Sequence, residues 1–157
     1  MATNDTTADL IHKLSKELAT QRALLIDRYP NARNSLRLML SAMGITSVHS
    51  ASNSADVLRQ VKNNRFDMIL ADYLLEDGRD SQQLLEELRQ QHLVPLSTVF
   101  FLITSERAYH NVVSIAELAL DDYLIKPFTV DELQGRLIRA VYKKRFFLAL
   151  FESLDND

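Results

Sequence analysis

Four residues directly follow short apolar runs and carry groups that could do chemistry together. Asp27 follows Ala23-Leu24-Leu25-Ile26, and Asp72 follows Met68-Ile69-Leu70-Ala71. Thr104 closes the run from Val99 to Ile103, and Lys126 closes Tyr123-Leu124-Ile125. Two carboxylates, a hydroxyl and an ammonium suit one task, the handling of a phosphoryl group. A carboxylate can attack phosphorus and form an acyl phosphate. A magnesium ion held by a few oxygens would neutralise the transferring oxygens. The lysine adds a point charge to the same oxygens, and the hydroxyl a hydrogen bond. Taken singly, an aspartate at a strand end is an ordinary cap or turn residue. A lone lysine near a carboxylate is ordinarily a solvated ion pair of little energetic weight. Four such residues, each closing a separate apolar run, are not explained that way.

The elements that must position them are legible in the same pattern. Continuous apolar runs of this length mark strands buried on both faces. Helical periodicity fills the intervals: Asn31 to Met43, ended by Gly44 where a left-handed C-cap belongs, then Ser52 to Asn63, Ser81 to Gln91 and Tyr109 to Leu118. Thr46 to Ser50 reads as a further strand, and a long helix starts at Val130. Five strand-helix pairs predict an α/β fold, a doubly wound five-stranded parallel sheet of flavodoxin-like order 2-1-3-4-5. In such sheets function collects at the carboxyl ends of the strands, where the four residues stand. An extra amphipathic helix, Ala8 to Gln21, precedes the first strand, with Thr6 and Asp9 as a capping pair and residues 1–7 as a frayed tail.

Composition excludes much else. The chain of 157 residues suits one compact domain, and its lack of cysteine removes thiol catalysis, thiolate zinc sites and disulfides. A net charge of −3 gives no general attraction to nucleic acid or an anionic membrane. The four histidines, His12, His49, His92 and His110, lie on separate elements without metal-ligand spacing. A single-domain, cytoplasmic protein is expected, with no direct nucleic-acid contact and no membrane contact.

Four segments together resemble the receiver domain of bacterial response regulators of two-component signalling, of the chemotaxis-regulator type, over about residues 22–142. They are Ile26-Asp27 with Pro30 and Arg33, Phe66 to Tyr73, Ile103-Thr104-Ser105, and Leu120 to Phe128 with its Lys126-Pro127 turn. The resemblance implies that Asp72 accepts a phosphoryl group from a sensor histidine kinase or phosphotransfer protein. It implies that Asp27, Asp72 and the backbone carbonyl of Leu74 hold Mg2+. Thr104 and Lys126 would contact the phosphoryl group, Tyr123 would change rotamer with it, and the bond to Pro127 would be cis. The domain is then a signalling switch rather than an enzyme, at most phosphorylating and dephosphorylating itself. Its switching surface would lie around the helix Tyr109 to Leu118, the last strand and the last helix.

One departure bears on mechanism. The family usually carries two adjacent acids after the first strand, whereas this chain reads Asp27-Arg28. A guanidinium in place of a carboxylate weakens the magnesium site. Arg28 could swing into solvent and leave Mg2+ to the remaining oxygens, or pair with Asp72 and replace the metal. Two readings follow: a phosphorylatable receiver, or a phosphorylation-independent pseudo-receiver that binds partners. Glu76, Asp77 and Asp80 are loop acids that could restore a water-mediated metal contact or serve as turn residues.

Residues 143–157 extend the last helix past the expected end of the domain. Lys143-Lys144-Arg145 reads as a solvated helix face. The following Phe146-Phe147-Leu148-Ala149-Leu150-Phe151 carries no charge, and Phe146, Phe147, Leu150 and Phe151 are expected to form a partner surface. That surface would take a downstream protein or a second copy, fold back on the N-terminal helix, or lead into a missing effector region.

Overall fold

The computed structural model describes residues 2–105 and 120–155, with side chains from residue 7 onward. Five strands form one parallel sheet: β1 (Arg22–Ile26), β2 (Ser47–Ala51), β3 (Met68–Ala71), β4 (Val99–Ser105) and β5 (Asp122–Lys126). Their order is β2-β1-β3-β4-β5, as the strand-helix alternation predicts. The described helices are α1 (Ala2–Ala19), α2 (Pro30–Ala42), α3 (Ser54–Asn63), α4 (Ser81–Gln90) and α5 (Val130–Asp155). The helix expected at Tyr109 to Leu118 lies outside the described residues.

The central strands are apolar through their middles, Ala23–Ile26, Met68–Ala71 and Val99–Ile103, because both sheet faces are covered. Leu25, Leu70, Phe101 and Ile103 pack against Leu40 of α2 and Leu133 and Leu137 of α5. On the other face, Leu24, Ile69 and Phe100 meet Val57 and Val61 of α3 and Leu84 and Leu88 of α4. Fully burying such side chains contributes about 1.5–3 kcal/mol each, which fixes the register of the sheet. Gly44 ends α2 as expected. With φ of +85° it lets its own N–H reach the Ser41 carbonyl at 2.9 Å and that of Ile45 reach Leu40 at 2.9 Å.

Three expectations change. Helix α1 begins at Ala2, so residues 2–7 are not a frayed tail and Thr6 and Asp9 lie inside the helix rather than at its cap. No proline or glycine interrupts Ala2–Ala19, so nothing in the backbone stops the helix there. The basic run on α5 is not simply solvated either. Lys144 is 16% exposed and donates to Asp121 Oδ1 at 3.0 Å, while Arg145 pairs with Glu17 of α1. Helix α5 therefore touches the N-terminal helix, one of the arrangements expected for it. Among the described residues no helix is long and apolar enough to cross a membrane.

Candidate functional site

Parallel register places the chemistry. Ile26 pairs with Ala71, so Asp27 and Asp72 leave β1 and β3 at the same level. Ala71 pairs with Leu102, and Ser105 with Lys126, which puts Thr104 and Lys126 at the same edge of the sheet.

Lys126 draws three strands together. Its Nζ donates to Asp27 Oδ2 at 3.1 Å and lies 3.5 Å from Asp72 Oδ2. One ammonium thus serves two carboxylates. Asp27 is only 6% exposed and is further held by the Tyr29 N–H, which donates to Oδ1 at 2.9 Å. The Arg33 guanidinium donates to the Asp27 carbonyl at 2.6 Å, tying the start of α2 to the end of β1.

Asp72 is held from its backbone. Its N–H donates to Ile26 at 2.8 Å, and its carbonyl accepts the Ser81 hydroxyl at the start of α4. One carboxylate oxygen accepts the Tyr73 N–H, at 2.7 Å. Burial pushes the Asp72 carboxyl above its ordinary value; Lys126 opposes that shift and the Asp27 charge reinforces it. A groove of about 280 Å³ opens beside these groups, walled by Ile26, Leu36, Met39 and Phe128.

Thr104 is fully buried, and its hydroxyl has no hydrogen-bond partner among the described residues. A buried unpaired hydroxyl costs about 1–3 kcal/mol. Tyr123 is half-buried, with the Arg136 guanidinium 6.0 Å from its ring centre. The Lys126–Pro127 bond is cis, as the resemblance implied.

Leu74 sits in the turn between Asp72 and α4. The Leu75 N–H donates to Arg79 at 2.9 Å and the Ser81 N–H to Tyr73 at 2.7 Å, closing the loop around Gly78 at φ +83°. The loop acids have structural duties. Asp80 caps α4 in a reciprocal box with Gln83, and Asp77 accepts the Ser54 N–H at 3.3 Å.

Arg28 turns into solvent. It is exposed, and its guanidinium stacks 4.6 Å from the centre of the Tyr29 ring. The cation paired with Asp72 is Lys126. Among the described residues no three or more His, Cys, Asp or Glu side chains gather to hold a metal. The hard oxygens of Asp27 and Asp72 with a backbone carbonyl nonetheless suit Mg2+, which keeps several waters and needs few protein ligands.

Sequence reasoning missed the Ser81 hydroxyl and the Tyr29 N–H as supports of the two aspartates. Ser81 could have been suspected from its place at the start of a helix just after the loop. A larger cleft, about 820 Å³, lies at the other edge of the sheet by Lys62, Arg65, Arg89 and His92. Lys62 and Arg89 there occupy the last turns of α3 and α4, where cations complement helix carbonyls.

Residues 23–138 match the response regulator receiver domain. The chain belongs to that family. The receiver is a signalling domain of two-component response regulators. The protein is 29% identical over 133 residues to "Probable transcriptional regulator ycf27" of Cyanidium caldarium, covering 85% of this chain and 51% of that protein. It is 30% identical over 123 residues to the transcriptional activator protein IrlR of Burkholderia pseudomallei, covering 78% of this chain and 51% of that one. The chain thus spans about half the length of the curated relatives it matches. Those names concern whole proteins that act in transcription, which stands against the expectation of no direct nucleic-acid contact. The fold is shared with the response regulator TrrA of Thermotoga maritima, solved in complex with Mg2+ and BeF: TM-score 0.65, 23% identity, 77% of this chain and 99% of that one.

Proposed function

We propose that the protein is a phosphorylatable receiver whose acceptor is Asp72, charged by a sensor histidine kinase or phosphotransfer protein. The observation that carries this reading is the convergence of Asp27 and Asp72 on the single ammonium of Lys126. An Asp72 carboxylate oxygen attacks the phosphorus of the donor, the bond from phosphorus to the donor breaks, and an acyl phosphate remains. Asp27, Asp72 and the Leu74 carbonyl would hold Mg2+, as a magnesium complex of the related TrrA suggests. When bound, Mg2+ neutralises charge on the transferring oxygens. Lys126 supplies the second cation, and the Thr104 hydroxyl gains the acceptor it lacks. Tyr123 and Pro127 are the flanking switch positions. Helix α5 carries the change outward to Phe146, Phe147, Leu150 and Phe151, the output surface. The setting is cytoplasmic. Residues 1–21, 22–142 and 143–157 act as lead helix, receiver and output extension.

The test is uptake of phosphate from acetyl phosphate. Uptake should require Mg2+ and be reversed by alkali, as an acyl phosphate is. Uptake without Mg2+, or a label stable to alkali, would contradict the proposal. The absence of a second acid beside Asp27 favours a second reading, a pseudo-receiver whose contacts need no phosphate. A folded chain that titrates with no Mg2+ would support that reading over the first.

A further inference from the structure

Helices α3 and α4 pack on one face of the sheet, and their carboxyl ends flank the cleft of about 820 Å³ at the amino ends of the strands, opposite Asp72. That volume lies within the range of small-molecule pockets. One side of the cleft is apolar, made by Phe66, Leu93 and Val94, with Leu96 at its rim 70% exposed. Lys62, Arg65, Arg89 and His92 line the rest, and among the described residues no carboxylate does. In a chain of net charge −3, a cleft of one sign concentrates anions.

The helix ends do not account for these cations. The carbonyls closing α3 already have neutral donors: the Asn63 side-chain amide donates to the Arg59 carbonyl at 2.9 Å, and the Asn64 N–H to the Gln60 carbonyl at 2.9 Å. At the end of α4 the His92 N–H donates to the Arg89 carbonyl at 3.2 Å and the Leu93 N–H to the Leu88 carbonyl at 2.9 Å. Arg65 and His92 lie beyond the helices altogether. Lys62, Arg65 and His92 are exposed, and among the described residues none of the three forms an ion pair.

His92 supplies an independent sign. Its φ of +53° lies in the left-handed region, which glycine adopts freely and a residue with a side chain adopts at a cost. Gly44 makes the corresponding turn after α2, at +85°. The turn after α4 therefore keeps an imidazole where glycine would sit with less strain, and the residue that carries it lines the cleft. Several cations around one cleft exceed what a single carboxylate neutralises, and an arginine fork matches phosphate oxygens. A bare inorganic anion would leave the apolar side uncovered. An organic phosphate with a flat ring would use both sides.

We propose that this cleft binds a nucleoside phosphate, its phosphates among Lys62, Arg65 and His92 and its base against the apolar side. The site is separate from Asp72 and does not depend on phosphorylation there. Calorimetry on the full chain in EDTA, with ATP as the probe, should give one site with a dissociation constant on the order of 100 μM. Adenosine and pyrophosphate should each bind about ten-fold more weakly, because each reaches one side of the cleft. Lys62→Glu with Arg65→Glu should leave circular dichroism unchanged and weaken ATP roughly 30-fold.

His92→Gly separates binding from folding. The variant should melt no lower than the parent, because the turn suits glycine, yet bind ATP several-fold more weakly. No binding of ATP by the parent, or an affinity unchanged in these variants, would overturn the proposal. Pyrophosphate binding as tightly as ATP would overturn the assignment of a nucleoside. Asp72→Asn should bind ATP as the parent does while losing phosphate uptake, and the cleft variants should keep that uptake, so the two sites fail or stand separately.

Discussion

The two edges of the sheet carry the same residue types and use them in opposite ways. At the amino edge, Asp67 accepts the Arg22 N–H at 2.8 Å, and Asp121 accepts the Phe100 N–H at 2.7 Å and the Lys144 ammonium at 3.0 Å. The Thr98 hydroxyl there donates to the Phe66 carbonyl at 2.7 Å. Each polar group has its own partner, and together they fasten β1, β3, β4 and α5. At the carboxyl edge, two aspartates share one lysine and the Thr104 hydroxyl has no partner among the described residues. The named groups of the first edge are satisfied, and the second is short of a cation for its carboxylates and an acceptor for its hydroxyl. A phosphoryl group with its metal would supply what is missing, and we propose that this asymmetry marks the functional edge.

The largest expected effect lies at the completed edge. Asp121→Ala strands both a buried N–H and a largely buried ammonium, so urea denaturation should show a loss of about 3 kcal/mol. A loss no larger than that of an exposed alanine substitution would remove the structural role of this edge. Next comes Arg28. Because its charge already lies in solvent on Tyr29, Arg28→Ala should change Mg2+ affinity only about two-fold by calorimetry. Arg28→Asp adds a carboxylate and should tighten Mg2+ about ten-fold. Equal effects of the two would show that Arg28 faces the metal site after all.

Smaller again is Thr104→Val. It removes an unpaired buried hydroxyl and should raise stability by about 1 kcal/mol while shortening the lifetime of the acyl phosphate. A destabilised variant would mean that the hydroxyl is paired in the resting protein.

The smallest effect concerns Asp72 and pH, with metal removed by EDTA. Its carboxyl is held above 3.8, chiefly by burial, so the folded chain binds that proton more tightly than the unfolded one. Stability is therefore lost as pH rises from 3.8 through the raised value. Asp72→Asn should melt slightly higher than the parent at pH 7, the gap closing as pH falls toward 4. A gap that widens on acidification would contradict the shift.

Much of this was legible in the sequence. Asp27, Asp72, Thr104 and Lys126 announced themselves because each ends an apolar run, and a parallel sheet aligns such ends. The partners of Asp121 were not legible. Lys144 lies twenty-three residues away, and only the docking of α5 on the sheet brings the two together. The direction of Arg28 depends on one rotamer and one neighbouring ring, so composition left both courses open. The start of α1 escaped because a polar stretch without proline or glycine reads equally as coil or helix.

We propose that the incomplete edge is a working phosphoryl acceptor despite Arg28. Intact mass after incubation with acetyl phosphate and Mg2+, on the parent and on Asp72→Asn, tests it most directly. One added phosphoryl group is expected on the parent and none on the folded variant. Equal uptake by both, or none by a folded parent, would contradict it.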